Sequence, residues 1–131
     1  MAFRQNDASR NGAANGFADL YDGGTARVLT GTQPAAGGAE TGTLLATITI
    51  PTPAFGAASA GVVAKAGTWS TTASASGVAG YLRVVSADTN SFFDLNISET
   101  GGGGEAIIND QDIVENGNVV ITALSITMPA E

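Results

Sequence analysis

The chain has no cysteine and no histidine. Disulfides, thiolate metal sites, cysteine nucleophiles and imidazole bases are therefore excluded, and with them the common Ser-His-Asp arrangement. A serine–lysine pair would have to use Lys65, the only lysine, and nothing around it resembles such a motif. Positive charge is scarce: Arg4, Arg10, Arg27, Lys65 and Arg83 are scattered, against a formal net charge of −7. Sequence-independent binding of phosphate backbones needs a positive surface, so direct nucleic-acid binding is not expected. The acidic balance favours solubility and mutual repulsion of free subunits. No apolar run reaches the roughly 18 to 20 residues needed to cross a bilayer, and the first residues lack the basic region and apolar core of a signal peptide. The expectation is assembly in the cytoplasm, with no membrane partner.

What is present is small and β-prone. At 131 residues the chain has the length of one domain, with 18 glycines and 44% hydrophobic residues, many of them alanine. That composition suits tight turns and thin sheets. The clearest pattern runs from Leu44 to Gly56. Leu44, Ala46, Ile48 and Ile50 alternate with Thr47 and Thr49, the period of a half-buried strand, and Leu45 alone breaks it. Pro51 and Pro53 cannot donate to a ladder, so the chain leaves the sheet or lies on its edge before Phe55.

Residues 1–6 read as a flexible arm and residues 7–131 as a single domain. Helical spacing occurs only over about 7–21, capped by Asn6 or Asp7, with Ala13, Phe17 and Leu20 on one face. Gly12 and Gly16 each cost such a helix about 1 kcal/mol relative to alanine, so it needs packing to persist. It reads as a cap on the end of a sheet or as a docking helix. Strands are expected between about 26 and 128: 26–30, 44–50, 68–76, 79–85, 92–97, 105–108 and 119–128. Residues 31–42 form an unpatterned loop, 57–65 carry no strong signal, 79–97 read as a hairpin, and Asn116-Gly117 is a tight hairpin turn. The last strand, apolar on both faces at first, reads as central. The fold class is mainly β: a β-sandwich or jelly-roll-like domain with one N-terminal helix.

Candidate chemistry is sparse. Asn109, Asp110, Gln111, Asp112 and Glu115 gather oxygens but lack the glycine and spacing of an EF-hand, and read as a solvated acidic loop sooner than a cation site. A glycosidase pair of carboxylates cannot be read from spacing. Trp69 and Tyr81 could form an aromatic platform for sugar, with core packing the plainer role. The glycines of 101–104 precede no helix that could hold a phosphate. No catalytic, cofactor-binding or metal-ligating residue is assigned.

Three segments in order, Gly31-Thr32-Gln33-Pro34, Gly42 to Thr49 and Pro53-Ala54-Phe55-Gly56, resemble a family of small proteins of tailed bacteriophages and prophages. In that family a helix precedes a strand and a "GTQPA" loop, and "LLAT" with "PAFG" follows. Gly61, the stretch Ala73 to Gly80 leading to Leu82-Arg83, and the closing Val119 to Pro129 segment extend the likeness over nearly the whole chain. Leu82, where an aromatic is more usual, and the acidic stretch 98–116 depart from it. The resemblance implies a non-enzymatic virion structural protein assembled in the host cytoplasm, most readily a capsid decoration or cement protein. Its partners would be the major capsid protein or other virion proteins, with a homo-oligomer, guessed as a trimer. A head-to-tail, collar or tail accessory, including a fibre-anchoring protein, is the alternative within the class, and a carbohydrate-binding module using Trp69 and Tyr81 the alternative outside it. Phe3, Arg4, Arg10, Phe17, Gln33, Pro34 and Phe55 are the candidate interaction residues, Phe55 serving as plug or intersubunit contact. No cofactor is expected.

Overall fold

The structure, a computed structural model, describes residues 4–102 and 105–128; Phe3 lies outside them. The Leu44 segment forms strand β2 (Leu44–Thr49), antiparallel to β1 (Thr25–Thr30). Its broken alternation has a structural cause. Val28 faces Ala46 and Leu29 faces Leu44, so Leu45 is an extra residue on β2. A bulge of this kind lets neighbouring residues turn to the same side of the ladder, and Leu45 and Ala46 are both fully buried.

The other strands are β3 (Val62–Ala64), β4 (Trp69–Thr72), β5 (Gly77–Val85), β6 (Phe92–Ser98), β7 (Ala106–Ile108), β8 (Asp112–Ile113) and β9 (Asn118–Thr127). They make one hydrogen-bonded path in the order β2-β1-β5-β6-β7-β9-β3, with β4 also on β9 and β8 on the start of β5. Most pairs are antiparallel; β6 and β7 run parallel. At its far end the path turns back on its start, because Ser74 N–H, just past β4, donates to the Leu45 carbonyl at 2.8 Å. The fold is thus mainly β with one N-terminal helix, as expected, and its walls face each other across a shared core by the curling of one sheet. That core runs from Ala14 in the helix to Leu124 in β9.

Three local expectations are corrected. Strand β3 lies in 57–65, where short Val62-Val63 sits among small residues and gives little periodic signal. The strand expected over 68–76 ends at Thr72, and the one expected from 79 begins at Gly77. Asn116-Gly117 does make a tight turn, with Gly117 N–H on the Val114 carbonyl at 2.8 Å, but no hairpin: β8 pairs with β5 and β9 pairs elsewhere. Strand β9 is central, with β7 on one edge and β3 and β4 on the other.

Helix α1 (Asp7–Asp19) is capped by Asn6, whose side chain accepts from Ser9 N–H at 3.0 Å. Its buried face is Ala14 and Ala18, continued by Tyr21 just past the helix, rather than Ala13, Phe17 and Leu20; Leu20 is 52% exposed and Phe17 half-buried. The small alanines bring the helix close to the sheet, and the larger rings flank that contact. Phe17, Tyr21 and Phe93 form a mutually packed triad with centroids 4.9 to 5.1 Å apart. Polar ties complete the docking: Arg10 Nε donates to the Met128 carbonyl at 3.0 Å, and Asn11 and Asn15 accept from Gly61 and Ala58 N–H. The helix caps the sheet.

Candidate interaction surfaces

One face of the sheet carries a row of ionic side chains. Arg27 on β1 lies opposite Arg83 on β5, and Arg83 opposite Asp94 on β6. Two adjacent arginines repel unless each is neutralised, and here each has its own carboxylate. Arg83 binds Asp94 through two hydrogen bonds of 2.7 and 3.0 Å, and Arg27 binds Glu40 in the same two-pronged way. The Arg83–Asp94 pair is 6% and 9% exposed. Its hydrogen bond to Asp94 raises the Arg83 pKa above the ordinary value, outweighing the opposing effect of burial.

These pairs hold down the loop of residues 31–42. Glu40 belongs to the loop, Arg83 Nη2 also donates to the Gly38 carbonyl at 2.7 Å, and the Tyr81 hydroxyl both donates to and accepts from the Thr41 backbone. At the loop's base Thr30 and Thr43 close a further pair of bonds. Gly80 sits where a Cβ would lie 1.8 Å from the Gly31 carbonyl, so only glycine lets the loop start this close to β5. Asp94 faces away from the apolar core, and the loop covers it.

Between loop and β6 lies a cleft of about 310 Å³, lined by Gln33, Pro34, Ala36, Gly37, Phe92, Phe93 and Asp94. Phe92 is 36% exposed and lies under the Arg83 guanidinium, 4.1 Å from its ring centroid. Gln33 Oε1 is buried without a hydrogen-bond donor among the described residues. Gln33 and Pro34 are therefore brought together at a surface, with Phe17 close by through its contact with Phe93.

The remaining candidates are placed differently. Arg4 is exposed ahead of the helix. Arg10 ties α1 to the end of β9 and to Asp7. Phe55 is 4% exposed and packs edge-on against Trp69 at 5.7 Å, a plug in the core and no surface contact. Trp69 and Tyr81 are fully buried and offer no platform to a sugar. In the acidic stretch Asp110 accepts from Asp112 N–H, and Asn109 bonds both Val120 N–H and the Asn118 carbonyl of β9. Among the described residues no three His, Cys, Asp or Glu side chains gather as a metal site would require.

Sequence reasoning missed Phe92, Arg83, Asp94 and Glu40. The available signal was an arginine and an aspartate at matching outward positions of two strands read as a hairpin. The chain matches no protein-family model, no curated protein and no solved structure.

Proposed function

We propose that the protein is a non-enzymatic structural component of a tailed-phage particle, a decoration or cement protein bound to the outer head lattice through the major capsid protein. The observation that carries this reading is the loop of residues 31–42, the segment bearing the Gly31-Thr32-Gln33-Pro34 resemblance. The Arg27–Glu40 ion pair, the Arg83 bond to the Gly38 carbonyl and the Tyr81 hydroxyl pin it to the sheet, so Gln33, Pro34 and Phe92 are held around a ready-made cleft. A surface fixed before contact avoids much of the ordering cost of binding. A buried acceptor such as Gln33 Oε1 gains when a partner supplies its donor. Modest affinity per site is multiplied on a lattice that presents many equivalent sites, particularly to a trimer. The glycan-binding alternative has lost the aromatic platform it required.

The test is the protein's copy number in purified particles, measured by quantitative mass spectrometry against the major capsid protein. Decoration requires hundreds of copies. Around a dozen copies at one vertex would replace it by the collar or tail-accessory reading, and absence from the particle would reject both. Gln33→Ala and Pro34→Ala are expected to weaken binding to empty heads while leaving the unfolding midpoint of the free protein in place.

A further inference from the structure

The cleft between the loop and β6 is apolar on both sides. Pro34 and Ala36 belong to the loop wall, Phe92 and Phe93 to the strand wall. Every lining residue is described, and the cleft flanks the Phe92 end of β6, whereas Glu105 meets its Asn96 end. Phe93 is backed by Phe17 and Tyr21, with ring centroids 5.0 and 4.9 Å away, so the strand wall is stiff. The bonds that pin the loop fix the opposite wall. At about 310 Å³ the opening is at the small end of ligand pockets, roughly 300 to 1,000 Å³. It has room for one large side chain and not for a folded element.

The cleft holds no uncompensated charge. Asp94 gives both carboxylate oxygens to Arg83, and the same guanidinium lies over Phe92, 4.1 Å from the ring centroid. A cation entering beside Phe92 meets the charge of Arg83 across the ring, and an anion meets Asp94, so a neutral group is favoured over either. What the cleft lacks is a donor. Gln33 Oε1 is shut off from water and accepts no hydrogen bond among the described residues. The last torsion of a glutamine side chain is broad and roughly two-fold, so the amide swings at little cost. A donor placed in the cleft thereby recovers a bond that the closed position denies.

We infer that the cleft takes the indole ring of a tryptophan side chain on the partner protein, an assignment that rests on the reading of this cleft as the partner-facing surface. Indole is flat, apolar and neutral, suits the ring of Phe92 and the face of Pro34, and carries one N–H that only donates. Phenylalanine fits the walls but leaves Gln33 unpaired. A tyrosine hydroxyl donates but also brings lone pairs toward the Asp94 carboxylate, and arginine and lysine bring charge. Tryptophan is also among the side chains that most often dominate the binding energy of an interface.

The probe is N-acetyl-L-tryptophanamide, titrated into the intact protein and followed by proton–nitrogen NMR. Saturating shifts are expected at Ala36, Phe92, Phe93 and Gln33, including the Gln33 side-chain amide, with a dissociation constant of about 1 mM for so small a ligand. Methylating the indole nitrogen, which removes the donor and keeps the ring, should weaken binding by about fivefold. Gln33→Met should weaken the parent probe similarly and erase the difference between the two probes. No saturation by about 10 mM, shifts centred elsewhere, or equal binding of the methylated probe overturns the inference. Tighter binding of N-acetyl-tyrosinamide or N-acetyl-argininamide would install a different occupant and overturn it too. Copy number in particles tests the underlying reading separately. A protein absent from particles that still binds indole here loses its phage partner and keeps the chemistry of the cleft, whereas abundant copies without indole binding reject the tryptophan alone.

Discussion

Removing the Arg83 guanidinium leaves Asp94 buried beneath the loop with nothing to neutralise it. Losing one member of a buried pair costs about 3 to 5 kcal/mol, so Arg83→Ala should lower urea stability by that order and raise proteolytic cleavage within residues 31–42. A change confined to under about 1 kcal/mol, the range of an exposed pair, would show that the loop is held by other means. Asp88 gives a pH signature. The Ser86 hydroxyl and then the Asn90 N–H stabilise its carboxylate and hold its pKa below the ordinary 3.8. A depressed native pKa contributes stability that is complete above the unfolded value and lost as pH falls through the native one. Asp88→Ala should therefore lower the urea midpoint at neutral pH, where this contribution is complete, and flatten its fall below about pH 4. An unchanged acid slope would refute that contribution. At this scale the sequence was only partly legible: core packing was the plainer role for Trp69 and is the one it has, Phe55 stood among the interaction candidates as plug or contact and is a plug, and the Arg83–Asp94 pair depends on a loop folding over the strands, which strand periodicity does not encode.

Among the elements, α1 carries an avoidable cost. Gly12 and Gly16 have open space around them, with nothing within 4 Å of where a Cβ would stand. Gly12→Ala and Gly16→Ala should each stabilise the monomer by about 0.5 to 1 kcal/mol, read as a higher thermal midpoint. If alanine instead disrupts an oligomer seen by sedimentation, the glycine face is a close intersubunit contact. The helix itself was legible from its cap and spacing, but its buried face was not. Phe17 and Leu20 are more hydrophobic than the alanines that actually meet the sheet, and size misleads where close approach is what the packing requires. Strand β2 shows the opposite case. Leu45, an irregularity in the alternation, turned out to be the bulge residue, so the break in pattern was itself structural information.

For the whole molecule, class was legible and connectivity was not. The alternation of β2, β6 and the end of β9 marks a sheet, but β1 finds β5 some fifty residues later, Arg27 opposite Arg83. Such long-range pairings are set by total burial rather than by local turns, which is also why Asn116-Gly117 joins no hairpin. Trp69 sits where these walls converge, fully buried, with its indole N–H on the Ala66 carbonyl at 3.0 Å. Trp69→Ala should cost about 3 to 5 kcal/mol and shift the denaturant midpoint of the entire domain. Retention of full stability would mean that the core closes without it.

The bond from Arg10 to the Met128 carbonyl brings the first helix and the last strand to one pole of the fold. Between Arg10 and Met128 the described chain thus nearly closes on itself. A short bridge across that pole, with new ends opened in the turn at 87–90, would keep every strand beside its present neighbours.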